Sequence, residues 1–250
     1  LLKRQLRRSA DRLTAPVTDW LLTMNRQDDD IAQHYALGKA IRFTHGMGID
    51  TTLFTPPDEA RKAQLRAQLG LDPSALILVY AAEFSGRKSQ STLIQAMPRL
   101  PENTVLVLPG RGDRLEECKA LAATLGVASR VCFPGFVQNM KDYYQAADLC
   151  VSSSRSEGLP FNIMEAMACG LPVIASDVKG HQDLVKPRVT GLLYPFGDAD
   201  AFSGAVHQLD NPQRRRQMGL AARQAILPFD IQPVFEELTT LYRQAAGLDA

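Results

Sequence analysis

The sequence predicts an α/β protein in which helices cover both faces of a parallel sheet. Residues 75–81 (Ala-Leu-Ile-Leu-Val-Tyr-Ala) form a continuous apolar run, as expected of a strand that is buried on both faces. Similar short runs recur farther along the chain, and helical stretches separate most of them, which is the pattern of a parallel sheet. The composition is that of a globular protein, since 45% of the 250 residues are hydrophobic and 22% are charged.

The first elements lie before that apolar run. We predict a strand over residues 20–24, a helix over 28–37 and a strand over 40–44. Residues 45–50 (His-Gly-Met-Gly-Ile-Asp), with a Pro-Pro pair soon after them, are typical of an irregular connector. A second unit starts beyond this connector.

The second unit contains six predicted strands, at residues 75–81, 104–108, 130–133, 148–152, 172–175 and 191–194. The helices predicted within and after it lie at residues 90–100, 114–125, 140–146, 161–169, 199–209, 212–225 and 233–246. Open parallel sheets bind ligands beyond the carboxyl ends of their strands. The residues that follow each strand are therefore the candidates for function.

Charge and cysteine content exclude several classes of protein. The 28 Lys and Arg nearly balance the 27 Asp and Glu, so the net charge of +1 gives no general attraction to nucleic acid, and we expect no nucleic-acid partner. The four cysteines are widely spaced, which argues against a zinc site or redox pair and favours free thiols in a reducing compartment. We therefore expect a cytoplasmic protein. The apolar runs are also shorter than the roughly 20 residues that a membrane span needs.

The start of the chain is strongly basic. Residues 1–12 contain five Lys or Arg and a single Asp, with leucines at helical spacing. Two interpretations stay open. One is an amphipathic helix that makes a peripheral contact with the anionic inner face of a membrane. The other is a surface helix of a truncated domain, and because the first residue is Leu1 and not Met, we expect the chain to be part of a longer protein.

A polar loop follows the fourth strand of the second unit and leads into a helix. Pro160 suits the first turn of that helix, where a missing N–H costs nothing. The N–H groups of Phe161 and Asn162 would then point out of the helix N-terminus and favour an anion. Two carboxylates, Glu157 and Glu165, bracket this position and would accept hydrogen bonds from hydroxyl groups, so a nucleotide sugar matches the whole arrangement. The alternative is that Glu165 is a charge on the helix surface and that Glu157 caps the helix.

The same segment carries a resemblance to a known family. Glu157-x7-Glu165, within the run SEGLPFNIMEAMACGLPVIAS, resembles the donor-site signature of the retaining glycosyltransferases of the GT-B fold, the glycosyl transferases of group 1 or family 4. That fold pairs two Rossmann-like domains across a cleft. The resemblance extends in matching order from about residue 18 to residue 194.

The resemblance implies a role for each residue of the motif. Glu165 is similar to the residue that accepts hydrogen bonds from the nucleotide ribose. Glu157 matches the residue that holds hydroxyls of the donor sugar, and we expect it to be catalytic. The amides of Phe161 and Asn162 match those that meet the distal phosphate, and Gly158 belongs to the same donor-binding turn.

A basic pair is expected after the first strand of the nucleotide domain. The family pattern there is roughly Gly-Arg-Leu-x-x-x-Lys, whereas residues 82–88 read Ala-Glu-Phe-Ser-Gly-Arg-Lys. Glu83 therefore replaces the arginine, Lys88 stays in register as the second expected catalytic residue, and Arg87 would supply the missing charge at the donor diphosphate. The alternative is that Arg87 and Lys88 lie in a solvated turn.

Three further segments resemble family elements less specifically. Gly112, in Gly-Arg-Gly after the second strand, is expected where the backbone approaches the nucleotide, although the run lacks the third glycine of a dinucleotide fingerprint. Phe136 and Val137 match the loop that packs on the nucleobase, or form an ordinary strand-end turn. Residues 179–185 depart from the family's Gly-Gly-x-x-Glu-x-Val, and we interpret His181 there as a local contact, not a catalytic group.

We therefore predict the C-terminal half of a GT-B enzyme, a Rossmann-like sheet flanked by helices, with a truncated piece of a second Rossmann-like domain. Residues 1–50 would be the end of the acceptor-side domain and the connector. Residues 51–228 would bind the nucleotide sugar, and residues 229–250 would pack back toward the first domain.

The predicted activity is transfer of a sugar, with retention, from a nucleotide diphosphate sugar to an acceptor hydroxyl in polysaccharide or glycolipid assembly. The donor is a substrate, and we expect neither a metal nor another cofactor. The acceptor is unidentified and is expected to be lipid-linked, and we expect the isolated chain to be inactive. The alternatives are a non-catalytic nucleotide-binding or interaction module, or another GT-B enzyme such as a nucleotide-sugar epimerase.

Overall fold

The computed structural model describes residues 11–248, which form two compact units. One unit combines the residues up to Ile49 with those from Pro228 onward, and the other runs from Asp50 to Leu227. All but the last two residues of the basic segment 1–12 lie outside the described residues. No helix within the described range has the length and apolar character needed to cross a membrane.

The first unit contains two short parallel strands, β1 (Trp20–Thr23) and β2 (Ala40–Phe43), joined through helix α1 (Arg26–His34). Asn25 begins α1, because its side chain accepts a hydrogen bond from the Asp28 N–H. The final helix of the chain, Ile231–Ala245, also belongs to this unit. Its start is fixed by the hydrogen bond from the Ile231 N–H to the Ile49 carbonyl, 2.8 Å long.

The second unit is built on a six-stranded parallel sheet, which confirms the predicted fold class. The strands are β3 (Leu76–Val79), β4 (Thr104–Val107), β5 (Val131–Cys132), β6 (Leu149–Ser152), β7 (Val173–Ser176) and β8 (Gly191–Tyr194). Their order across the sheet is β5-β4-β3-β6-β7-β8. The helices are α2 (Glu59–Gln68), α3 (Gln90–Ala96), α4 (Leu115–Thr124), α5 (Met140–Ala146), α6 (Phe161–Ala168), α7 (His181–Leu184), α8 (Ala199–His207) and α9 (Pro212–Ile226), and α10 (Ile231–Ala245) follows in the first unit.

The central strands are buried on both faces, as their continuous apolar runs predict. Every residue of β3, β6 and β7 is buried. Leu78 in β3 packs in one apolar cluster with Leu93 and Ile94 of α3. This packing holds the ends of the strands, and so the loops that follow them, at fixed positions.

Two helices were not predicted. The sequence pattern predicts no element over residues 57–74, yet α2 begins at Glu59, where Asp58 caps it by accepting a hydrogen bond from the Arg61 N–H. Its apolar signal is weak because it buries only Leu65 and Arg66. The short helix α7 also escaped prediction, because four residues are too few to show a helical period.

The strand order identifies where a ligand would bind. Strands β3 and β6 are neighbours although two strands separate them in the chain, and Val79 lies opposite Cys150. The order reverses at this pair, so the connections leave the sheet in opposite directions and open a crevice beyond the carboxyl ends. The loops after β3 and β6 line that crevice.

Candidate functional site

The loops after β3 and β6 bring two basic side chains to one carboxylate. Lys88 Nζ lies 2.5 Å from Glu157 Oε1, and Arg87 Nη1 lies 3.2 Å from Glu157 Oε2. The side chains of Glu157 and Lys88 are 8% and 13% exposed, whereas that of Arg87 is 52% exposed. One negative and two positive charges leave the cluster with an excess positive charge. Lys88 is therefore largely buried against Glu157, whereas Arg87 pairs with Glu157 from a turn that is open to solvent.

The Glu157 carboxylate is held in its ionised form. Burial raises its pKa, but the hydrogen bonds from Lys88 and Ser154 and the positive charges of Lys88 and Arg87 outweigh that effect. The pKa therefore lies below its ordinary value. Glu157 does not cap the helix that follows, because Pro160 is the N-cap and makes no side-chain cap.

The backbone around Lys88 is constrained on both sides. The next residue, Ser89, has left-handed dihedral angles (φ 53°, ψ 41°), which are rare outside glycine. The Lys88 N–H donates to the Ser85 carbonyl at 3.1 Å, and the Ser153 hydroxyl donates to the Lys88 carbonyl at 2.9 Å. Backbone strain of this kind persists only where the surroundings enforce it.

Helix α6 starts beside the end of β3. The Asn162 side chain donates from Nδ2 to the Ala81 carbonyl at 3.1 Å, which ties the first turn of the helix to the residues after β3. The first N–H groups of an α-helix have no partner within the helix and present partial positive charge. Phe161, the first residue of α6, is 47% exposed, so this end of the helix is open to solvent.

Glu165 is placed apart from Glu157 in surroundings of its own. The Tyr144 hydroxyl, which is buried, donates to Glu165 Oε2 at 3.1 Å. Burial raises the pKa of Glu165, and the hydrogen bond from Tyr144 only partly offsets it. The residue is therefore not an ordinary surface charge. The thiols of Cys150 and Cys169 share this region, and burial raises the pKa of Cys169 to about 12, so it stays protonated.

A cavity of about 640 Å³ lies beyond the ends of β3, β4 and β5. Its walls include the three predicted donor-binding residues Gly112, Phe136 and Val137. The Arg111 guanidinium lies over the Phe136 ring, 5.0 Å from its centroid. Glu83 is exposed and also lines this cavity. The remaining lining residues are Ala81, Ala82, Pro109, Gly110, Arg111 and Met140.

The two glycines of the Gly-Arg-Gly turn are explained by packing within the protein. A Cβ atom on Gly110 would lie 2.0 Å from the Ala82 carbonyl oxygen, and one on Gly112 would lie 2.3 Å from the Phe84 carbonyl oxygen. Both have positive φ, at 152° and 156°. Only glycine allows the two backbones to approach this closely, and the cavity wall depends on that approach.

His181 is a buried local contact, as predicted. It is 0% exposed, and its Nδ1 lies 2.7 Å from the Ser176 carbonyl, which can only accept, so Nδ1 carries the proton. Nε2 then accepts from the Ser152 hydroxyl at 3.1 Å. Burial lowers the pKa of His181, which keeps the ring neutral at pH 7. The preceding Gly180 packs on Gly158, because a Cβ atom there would lie 2.5 Å from the Gly158 carbonyl oxygen.

The predicted residues thus fall into three groups. Arg87, Lys88 and Glu157 form one charged cluster, while Gly112, Phe136 and Val137 line the cavity, and Glu165 lies with Tyr144. Sequence reasoning missed Ser154 and Tyr80, which stand behind Glu157. The sequence signal that could have pointed to Ser154 is the run of three serines at residues 152–154, which starts at the last residue of β6.

Comparison with known families identifies the family of the chain. The family model described as "Glycosyl transferases group 1" matches residues 61–225, which is well over half of the chain. The chain belongs to this family. The matched range includes the charged cluster, the cavity lining and the α6 motif. It lies within the six-stranded unit, which runs from Asp50 to Leu227.

Relatives and solved structures are similar over nearly the whole chain. EpsD of Bacillus subtilis (strain 168), named as a glycosyltransferase, is 34% identical over 237 residues, which cover 93% of this group 1 chain and 62% of EpsD. Sucrose-phosphate synthase from Thermosynechococcus elongatus is 30% identical, with a TM-score of 0.87, and the match covers 98% of this chain and 63% of that one.

A third neighbour, Anabaena HepE solved in complex with UDP and glucose, has a TM-score of 0.85 over 94% of this chain and 66% of its own. Its identity of 23% shows a shared fold alone. The group 1 chain thus spans less than two thirds of the length of EpsD and of the synthase.

Proposed function

We propose that this chain is the donor-binding half of a retaining glycosyltransferase, which transfers a sugar from a nucleoside diphosphate sugar to an acceptor hydroxyl. The observation that carries the proposal is the contact of Lys88 and Arg87 with the buried carboxylate of Glu157, close to the N-terminus of α6. Two cations and a helix N-terminus that converge on a crevice suit a diphosphate.

The charge arrangement supports a sequence of events on donor binding. Without ligand, the Glu157 carboxylate neutralises one of the two cations. A diphosphate carries more negative charge and would draw Lys88 and Arg87 to its oxygens. Glu157 would then be free to accept hydrogen bonds from the hydroxyls of the sugar.

The same groups support catalysis. When the bond between the sugar and the diphosphate breaks, negative charge develops on the leaving nucleoside diphosphate. Lys88, Arg87 and the first amides of α6, at Phe161 and Asn162, would stabilise that charge from fixed positions. We propose Lys88 and Glu157 as the catalytic pair, with these amides and Gly158 at the phosphates, and no metal ion is needed for the charge balance.

The cavity and Glu165 support binding of the nucleoside. The aromatic ring of Phe136 and the backbone of Val137 would pack on the base, within a space of about 640 Å³ that Gly112 also lines. Glu165 would accept hydrogen bonds from the ribose hydroxyls. Polysaccharide or glycolipid assembly, with a lipid-linked acceptor at the cytoplasmic face of a membrane, is the role we propose for the whole protein, and the basic start of the sequence supports it.

The first experiment is calorimetric titration of this chain with UDP, GDP and ADP, with and without EDTA. We expect one of the three to bind, with an affinity that EDTA leaves unchanged and that Glu165→Ala weakens. UDP is the first probe because HepE was crystallised with it. Failure of all three nucleotides to bind would overturn the proposed donor site.

Catalysis is tested on the longer protein that contains this chain. We expect release of nucleoside diphosphate from the preferred donor, and a product with the anomeric configuration of the donor by NMR. Binding without turnover in the longer protein would instead indicate the non-catalytic module, and an inverted product would contradict retention.

A further inference from the structure

Behind the charged cluster lies a line of buried hydroxyl groups. The Ser154 hydroxyl donates to Glu157 Oε1 at 2.5 Å, and it lies 2.8 Å from the hydroxyl of Tyr80. Ser154 is 0% exposed and Tyr80 is 1% exposed, so water does not compete for these bonds. The two side chains join the core of the sheet to the carboxylate at the crevice.

The direction of these hydrogen bonds follows from their chemistry. An ionised carboxylate only accepts, so Ser154 must give its single proton to Glu157. The Ser154 oxygen is then left to accept from the Tyr80 hydroxyl, which lies 2.8 Å from it and also lies 3.2 Å from the Lys88 carbonyl oxygen. Burial raises the pKa of Tyr80, which keeps that phenol protonated. The line therefore runs one way, from Tyr80 to Ser154 to Glu157.

The loop that carries Ser154 is itself held by hydrogen bonds with Ser176 and His181. The Ser176 hydroxyl donates to the Ser154 carbonyl at 2.5 Å, and His181 holds the Ser152 hydroxyl at 3.1 Å. The intervening hydroxyl of Ser153 bonds the Lys88 carbonyl. Each of the three consecutive serines thus has a different partner, and Ser154 is the one directed at the carboxylate of Glu157.

We propose that Ser154, supported by Tyr80, is a positioning residue that fixes the orientation of the Glu157 carboxylate toward the donor sugar. This inference rests on the proposed function. In that proposal a diphosphate draws Lys88 and Arg87 away from Glu157, and Ser154 is then the donor that remains on the carboxylate. It would hold one oxygen in place and leave the other for a sugar hydroxyl.

The affinities of two probes test this role. UDP lacks the sugar, whereas UDP-glucose has it, so Ser154→Ala should weaken UDP-glucose by about 10-fold and UDP by less than about 3-fold, which corresponds to one charge-assisted hydrogen bond. Tyr80→Phe should also weaken the binding of UDP-glucose more than the binding of UDP, but by a smaller factor than Ser154→Ala. If GDP or ADP is the nucleotide preferred, GDP-mannose or ADP-glucose replaces UDP-glucose.

A matched control comes from the opposite edge of the sheet. Thr104 is 0% exposed and its hydroxyl has no hydrogen-bond partner, so Thr104→Val removes a buried hydroxyl without touching the crevice. It should leave both affinities unchanged. Equal weakening of nucleotide and nucleotide sugar by Ser154→Ala would show a merely structural role and overturn the inference, whereas a wild-type chain that binds neither probe would instead overturn the proposed function.

A second measurement does not depend on any ligand. Carbon-13 NMR of the glutamate carboxyls, assigned with Glu157→Gln, follows the titration of Glu157 directly. Because the Ser154 hydrogen bond stabilises the ionised form, Ser154→Ala should raise the pKa of Glu157, and Thr104→Val should not. An unchanged pKa would also count against Ser154. Should Ser154→Ala fail to fold by circular dichroism, Tyr80→Phe carries both measurements.

Discussion

Two largely buried carboxylates, at opposite ends of the strands of the same sheet, are each flanked by two basic side chains. At the carboxyl edge, Glu157 contacts Lys88 and Arg87. At the amino edge, Asp148 lies 2.7 Å from both Lys62 Nζ and Arg66 Nη2, and its Oδ2 also accepts from the Ile77 N–H at 2.8 Å. Interactions with the basic partners lower the pKa of both carboxyls despite their burial.

The two clusters differ in how their donors are used. The guanidinium of Arg66 is 8% exposed and also donates to the carbonyls of Ala146, Pro73 and Ala75, so the fold itself consumes its hydrogen bonds. Arg87 donates to a single backbone carbonyl, that of Ser156, and with 52% of its side chain exposed it remains open to a ligand. The amino-edge cluster therefore fastens helix α2 to the sheet, whereas the carboxyl-edge cluster keeps charge available.

Cavity size does not distinguish the two edges. The amino edge has a space of about 780 Å³, lined in part by Lys62, Arg66 and Asp148, which exceeds the cavity of about 640 Å³ at the carboxyl edge. A carboxylate with two cations, even beside a cavity, thus does not by itself mark a ligand site. The position at the strand-order reversal and the unused donors make the difference.

The largest expected effect is on stability at the amino edge. Asp148→Asn leaves Arg66, whose side chain is only 8% exposed, without its counter-charge, so the free energy of unfolding should fall by about 3–5 kcal/mol. Glu157→Gln should cost clearly less, because the partner Arg87 reaches solvent. Urea denaturation followed by circular dichroism measures both. Equal losses of unfolding free energy in the two variants would contradict the distinction between a structural cluster at Asp148 and a functional cluster at Glu157.

The next effect is on nucleotide affinity at the carboxyl edge. Lys88→Ala removes a charge-assisted contact to phosphate, so the preferred nucleoside diphosphate should bind about 10- to 150-fold more weakly. Lys62→Ala is the matched control, since it removes a lysine paired with a carboxylate at the other edge. Calorimetry should show an unchanged affinity for that variant. Weaker binding by Lys62→Ala together with unchanged binding by Lys88→Ala would place the donor site at the amino edge.

The smallest effect is on the pH dependence of stability. Because the pKa values of Asp148 and Glu157 are lower in the folded chain, both groups stabilise it above their ordinary values of 3.8 and 4.5, and this contribution is lost as the pH falls. The stability difference between the wild type and Asp148→Asn should therefore narrow between pH 7 and pH 3. Thermal unfolding of both proteins over this pH range measures the stability difference. A difference that stays constant would contradict a lowered pKa for Asp148 in the folded chain.

The sequence predicts most of the second unit because its strands are continuous apolar runs. The strand predicted at residues 191–194 coincides with β8, and the helix predicted at 140–146 coincides with α5. Helix α2 was missed for a physical reason, since it is held largely by Arg66 and other polar contacts and so lacks an apolar stripe.

The residues of the candidate site could be predicted from the sequence, whereas the contacts between them could not. The motif around Glu157 and the basic pair could be read from the sequence, yet 69 positions separate Lys88 from Glu157, and only the strand order brings them together. The role of Ser154 depends on a hydrogen bond to a side chain, and Gly110 is glycine because of the backbone facing it. No local pattern records such contacts.

The most direct test of the account is a crystal structure of this chain with the nucleoside diphosphate that it binds best. We predict a diphosphate held by Lys88 and Arg87 at the N-terminus of α6, with the base beside Phe136 and the carboxylate of Glu157 released from Lys88 but still bonded to Ser154. A nucleotide seated among Lys62, Arg66 and the other residues of the amino edge, with the Lys88–Glu157 pair intact, would contradict the central claim.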